Sequence, residues 1–95
     1  MKFLEKYDFS KETIADFLNN SPKKLIDAIK DHKKLVGENI GYLKDIGIPN
    51  YQEVFLEYYD MFLIDHSNFV NIFSKYEISD LIEKIQKNPK IVEYL

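Results

Sequence analysis

One seven-residue apolar pattern recurs three times in this chain, and it leaves little room for anything except short helices joined by tight turns. Leu43-x-x-Ile46-x-Ile48-Pro49 is echoed by Leu4-x-x-Tyr7-x-Phe9-Ser10 before it and by Phe73-x-x-Tyr76-x-Ile78-Ser79 after it. Each copy places apolar residues at i, i+3 and i+5, then a residue suited to opening a new helix. That spacing fits a helical turn that ends, a buried residue in the turn, and a capping or proline position. Units of this size bury their apolar faces by stacking on neighbours. No apolar alternation of period two persists anywhere. The expected fold is all-α: a compact, repeat-like array of roughly six to eight short helices, about three helix-turn-helix units, in one domain over residues 1–95.

The punctuation can be read residue by residue. A short helix is expected over 2–7, then Ser10 as N-cap of a helix over 11–19, with Glu12 where the helix dipole favours an acid. Ser21 is expected to cap a helix with Pro22 at its first position, running to about Leu35 before Gly37 stops it. Ile40, Leu43 and Ile46 form the next stripe, closed by Gly47 in a left-handed conformation. Asn50 and Glu53 have capping-box spacing ahead of a helix over 51–59. Asp60 precedes a short helix at Met61–Ile64, His66-Ser67-Asn68 is a break, Ser79 and Asp80 open a helix over 80–87, and Asn88-Pro89 restarts a last turn.

These residues resemble the repeat of the mitochondrial transcription termination factor (mTERF) family. The stretch Asn39-Ile40-Gly41-Tyr42-Leu43-Lys44-Asp45-Ile46-Gly47-Ile48 is similar to the first half of that unit. Tyr7-Asp8-Phe9-Ser10 with Ser21-Pro22-Lys23-Lys24-Leu25-Ile26 resembles both halves, and Asn88-Pro89-Lys90-Ile91-Val92 the second half. The resemblance implies a left-handed solenoid of three-helix units and nucleic-acid binding on a basic concave face. The chain departs from the family in having no Arg, few repeats and a net charge of −3.

Composition narrows the function classes. With seven Phe and seven Tyr, aromatic burial can supply much of the packing energy. Cysteine is absent, which excludes disulfides and thiolate metal sites and fits an intracellular compartment. No apolar run nears the ~18 residues of a membrane span. A soluble, cytoplasmic chain is expected. All thirteen basic residues are Lys, which cannot offer the planar fork that Arg gives to phosphate or guanine.

Charge is segregated: residues 45–74 hold five acids and no Lys, whereas residues 1–44 hold nine Lys and seven acids. Glu53, Glu57 and Asp60, at i, i+4 and i+7, would share one helical face, and Tyr51 and Tyr59 fall off the apolar stripe beside it. Such a face suits a Lys-rich protein partner. The reading from the residues is a non-enzymatic module that binds a protein through Tyr51, Glu53, Glu57, Tyr59 and Asp60. The alternative is nucleic-acid binding through Lys23, Lys30, Lys33, Lys34, Lys84, Lys87 and Lys90, provided the two lysine groups converge. Asp27 and Asp31 argue instead for intrahelical pairs in the first group. Asp31-His32 and Asp65-His66-Ser67 are adjacent in sequence, the wrong arrangement for a triad, and no metal-binding or phosphate-loop motif is present. No cofactor or metal is expected, no membrane association is expected, and self-association is compatible with the surface.

Overall fold

The computed structural model describes residues 1–95. Six α-helices carry the chain: α1 (Lys11–Asn20), α2 (Lys23–Asp31), α3 (Lys33–Asp45), α4 (Tyr51–Glu57), α5 (His66–Ser74) and α6 (Ile78–Lys87). Three 3₁₀-helices punctuate them, N-terminal at Lys2–Tyr7, middle at Tyr59–Leu63 and C-terminal at Pro89–Tyr94. There is no strand, so the all-α expectation holds. The radius of gyration is 12.8 Å, close to the about 12 Å expected of a compact chain this long.

Two copies of the recurring pattern close in the same way. In the first, the N–H of Phe9 donates to Leu4 O (3.3 Å) and that of Asp8 to Glu5 O (3.2 Å). In the second, Ile48 N–H donates to Leu43 O (3.0 Å) and Gly47 N–H to Lys44 O (3.1 Å). This paired bonding is the Schellman arrangement, and its pivot residues are left-handed, Asp8 at φ 70° and Gly47 at φ 94°. The buried pairs Leu4–Phe9 and Leu43–Ile48 flank the two turns. The third copy departs because a glutamate occupies the pivot. Glu77 stays extended (φ −68°, ψ 129°), and its carboxylate accepts from Ser79 N (3.1 Å) and Asp80 N (2.9 Å) to cap α6. Ile78, buried in the pattern's logic, is therefore exposed.

Several expected boundaries move for local reasons. Pro22, not Ser21, sits at the α2 cap, with extended ψ 141° and its carbonyl accepting from Leu25 and Ile26. The helix expected to reach Leu35 breaks at His32, and Gly37 lies inside α3 rather than ending it. The missing side chains at Gly37 and Gly41 make room for Tyr7, whose ring crosses α3. A Cβ on Gly37 would come within 3.0 Å of the Tyr7 hydroxyl, and one on Gly41 within 3.2 Å of the ring. Asn50 forms no capping box: its Nδ2 reaches Ile85 O on α6 instead (3.1 Å). His66 opens α5 rather than breaking the chain, because the Asp65 carboxylate caps it through Asn68 N.

Packing is centred on α3, which touches the N-terminal 3₁₀-helix, α2, α4, the middle 3₁₀-helix and α5. A relay of phenyl rings runs through the core, Phe17 to Phe55 (5.4 Å), Phe55 to Phe62 (5.2 Å), Phe62 to Phe69 (5.1 Å) and Phe69 to Phe73 (5.0 Å). Such tilted and edge-on contacts are the favoured aromatic geometry. The one buried polar side chain is Asn39, fully enclosed on α3. Its Nδ2 donates to Phe62 O and Ile64 O, both at 2.9 Å, and its Oδ1 lies 2.8 Å from His66 Nδ1. With both amide hydrogens committed, Oδ1 can only accept, so His66 must carry its hydrogen on Nδ1.

Two stability outcomes are expected. Phe55→Ala should lower the unfolding free energy by about 3–5 kcal/mol. Asn39→Leu should lower it by about 1–3 kcal/mol despite its added apolar surface, because the buried Phe62 carbonyl and the part-buried Ile64 carbonyl lose their donors. Denaturant titration decides both, and a neutral Asn39→Leu would contradict the role given to the amide. A third outcome concerns pH. The amides of Asp80 and Ser79 hold the Glu77 carboxyl below its ordinary range. Its stabilising effect is complete above the ordinary carboxyl pKa and is lost as pH falls through the lowered folded value. Glu77→Gln should flatten the acid limb of a Tm-against-pH profile.

Candidate functional site

Two separate concavities of opposite charge lie on the surface. The first lies between the middle 3₁₀-helix, α5 and the C-terminal 3₁₀-helix. It encloses about 470 Å³ and is lined by Tyr58, Met61, Ile64, Ile72, Val92 and Leu95, with Asp60 and Glu93 as its only charged side chains. Three turns build it. Tyr58 ends α4 with a non-helical backbone (φ −130°, ψ 42°), the Asp60 carboxylate accepts from Met61 N (3.0 Å) to start the next turn, and Asn88 caps the C-terminal 3₁₀-helix through Lys90 N (3.2 Å). Partial burial, followed by the charges of Glu93 and Glu57, raises the Tyr58 phenol above its ordinary pKa.

This geometry revises the acidic face expected from spacing. Glu53, Glu57 and Asp60 are all exposed, but α4 ends at Glu57 and Asp60 belongs to the next helix, at the mouth of the concavity. The three do not form one stripe. Tyr51 is buried, and its hydroxyl donates to the Tyr7 carbonyl, so it is a structural strut rather than a partner-facing ring. Tyr59 is half-buried edge-on against Phe17 at 5.6 Å. The tyrosine that opens onto the acidic surface is Tyr58.

The second concavity, about 730 Å³, lies where the N-terminal 3₁₀-helix meets the corner between α2 and α3. Lys2 and Lys6 of the N-terminal 3₁₀-helix line it together with Lys30, Lys33 and Lys34 of the corner, along with Phe3, Tyr7 and Gly37, and Glu38 is the only acid. At the same corner, Asp31 and His32 flank Lys30, Lys33 and Lys34 in an adjoining hollow. The intrahelical pairs expected with Asp27 and Asp31 do not form. The ion pairs of the chain are Lys44–Asp8 (2.7 Å), Lys84–Asp80 (3.1 Å) and Lys87–Glu83 (2.9 Å), and none of the five groove lysines takes part. Lys33 and Lys34 occupy the first turn of α3, which has neither an acid nor a side-chain cap. Cations at that end oppose the helix dipole.

The two lysine groups of the nucleic-acid reading are not brought together. Lys30, Lys33 and Lys34 line the groove, whereas Lys23, Lys84, Lys87 and Lys90 do not. Lys2 and Lys6 do line it, and spacing within one helix could not have found them. His32 is exposed at the corner, and His66 is tied to Asn39. No three His, Asp or Glu side chains come together to hold a metal ion, and no helix is long and apolar enough to cross a membrane. No protein-family model, curated protein or solved structure matches this chain.

Both sites have a pH or charge signature. Because the folded state holds the Tyr58 proton more tightly, its contribution to stability is complete below the ordinary phenol pKa and is lost as pH rises through the raised value. Absorbance titration should show that alkaline lag, and Tyr58→Phe should abolish it. Lys33→Glu should stabilise α3 by about 0.3–1 kcal/mol at low salt by reversing the dipole conflict. A destabilised Lys33→Glu in thermal melts would contradict the unpaired state of that lysine.

Proposed function

We propose that this chain is a non-enzymatic module that binds a protein partner, and that the partner's contact is an amphipathic helix rich in Leu and Lys seated in the apolar concavity. The observation that carries the reading is the lining itself: the half-buried Tyr58, Met61, Ile64, Ile72 and Leu95, with the core residue Val92, around an open hollow whose charged rim, Asp60 and Glu93, is wholly acidic. Apolar side chains left open in a concave site are those available for burial by a partner. A helix fits by setting its apolar i, i+4 residues into the hollow and its lysines against the acids. Residues 45–74 contain no Lys, so nothing on that stretch repels such a partner. Glu57, which shares the electrostatic environment of Tyr58, extends the acidic field beyond the rim. Glu53 and Tyr59 stand outside the lining and Tyr51 has no part in it.

Nucleic-acid binding in the manner implied by the mTERF resemblance has weaker support. It needs a basic stripe that tracks a backbone, and Lys84 and Lys87 are engaged with their own helix.

A Leu/Lys amphipathic helix titrated into labelled protein should shift the methyl resonances of Met61, Ile64, Ile72 and Val92 with micromolar affinity. The reversal Asp60→Lys with Glu93→Lys should weaken binding about tenfold or more. Lys84→Glu should leave it unchanged. Shifts centred elsewhere, or affinity indifferent to the double reversal, would overturn the proposal.

A further inference from the structure

We propose that the lysine groove between the N-terminal 3₁₀-helix and the α2–α3 corner binds a small, multiply phosphorylated molecule. The inference is independent of the partner-binding reading, since the two sites share no residue. Lys2, Lys6, Lys30, Lys33 and Lys34 come from three elements and line one hollow in which Glu38 is the only carboxylate, with Asp31 beside Lys30, Lys33 and Lys34 in the adjoining one. None is neutralised by an ion pair. The chain as a whole is acidic at −3, so this concentration of positive charge is local. Gathering five like charges, two of them in the uncapped first turn of α3, breaks two local preferences at once. Breaches of that kind cluster at functional sites. A bound polyanion would relieve both the mutual repulsion and the conflict with the helix dipole.

Size and donor type select the ligand class. A hollow of about 730 Å³ falls in the range of small-molecule sites. Lysine ammonium groups are compact point charges that can meet several phosphate oxygens at different angles. Lys23, Lys84, Lys87 and Lys90 stand outside the lining, which favours a compact oligophosphate over a polymer that must track a stripe. Phe3 and Tyr7 give the groove an apolar flank, able to take a carbon ring or base attached to the phosphates.

The test is calorimetric titration of the full chain at about 150 mM salt with tripolyphosphate, adenosine triphosphate, citrate and a single-stranded oligonucleotide. Saturable one-to-one binding of tripolyphosphate is expected, weakened about tenfold or more in Lys30→Glu/Lys34→Glu and unaffected by Lys84→Glu/Lys87→Glu. If adenosine triphosphate binds more tightly than tripolyphosphate, the aromatic flank holds the base; equal affinities mean the phosphates alone are recognised, and both results support the site. The neutral variant Lys30→Gln/Lys34→Gln, checked by circular dichroism, separates lost binding from lost fold. The proposal is overturned by an absence of saturable binding to either phosphate compound, by affinity unchanged in the folded variants, by equal affinity for citrate, or by binding confined to the oligonucleotide.

Discussion

The fold depends on one buried amide. Asn39 is fully enclosed at the middle of α3 and holds the carbonyls of Phe62 and Ile64 with its two hydrogens while accepting from His66. Those carbonyls stand where the middle 3₁₀-helix ends, before α5 begins, at a point where no regular helical N–H donor follows. An uncompensated buried carbonyl is unfavourable, so the break between these helices is tenable only beside such a donor. Because apolar packing is tolerant of small slides and hydrogen bonds are not, the amide also sets the register of the 58–66 segment on α3. Tyr58, Met61 and Ile64 belong to that segment, so the wall of the apolar concavity is positioned by a residue that never reaches the surface.

The second organising contact is steric. Tyr7 lies across Gly37 and Gly41, which lets the N-terminal 3₁₀-helix settle on α3. The Tyr7 carbonyl then accepts from the Tyr51 hydroxyl, and Lys44 pairs with Asp8 at 2.7 Å, fastening the same short helix to α4 and to the end of α3. That docking carries Lys2 and Lys6 up to Lys30, Lys33 and Lys34. The basic groove is thus a consequence of how a small helix is seated, as the acidic concavity is a consequence of Asn39.

The all-α class was legible because apolar spacing of helical period survives any local error in boundaries. Ser10, Gly47 and Asn88-Pro89 were legible for the same reason that they work: one side chain or one missing Cβ decides the turn. Caps with competing choices were not. Glu77 and Ser79 can each open α6, and only the failed left-handed pivot at Glu77 decides between them. Gly37 reads as a helix stop when its real partner is a ring some thirty residues earlier in the chain. Tyr51 reads as exposed when it is placed off the apolar stripe, yet its ring is buried and its hydroxyl finds the Tyr7 carbonyl. Asn39 had a usable signal, since it lies three residues after Val36 and four before Leu43 on the apolar stripe of α3. The sites themselves were the least legible. Only the acidic composition of 45–74 and the cluster at Lys30, Lys33 and Lys34 showed in the sequence, while Tyr58, Glu93, Lys2 and Lys6 join them through tertiary packing alone.

Amide hydrogen exchange in Asn39→Leu tests most directly the claim that this amide holds the middle of the chain to α3. Local openings report the stability of each segment separately. The account predicts that protection falls selectively across the middle 3₁₀-helix and the first turn of α5, while α1 and α6 keep their wild-type rates relative to global unfolding. Uniform loss across all helices, or unchanged protection over residues 59–69, would contradict it.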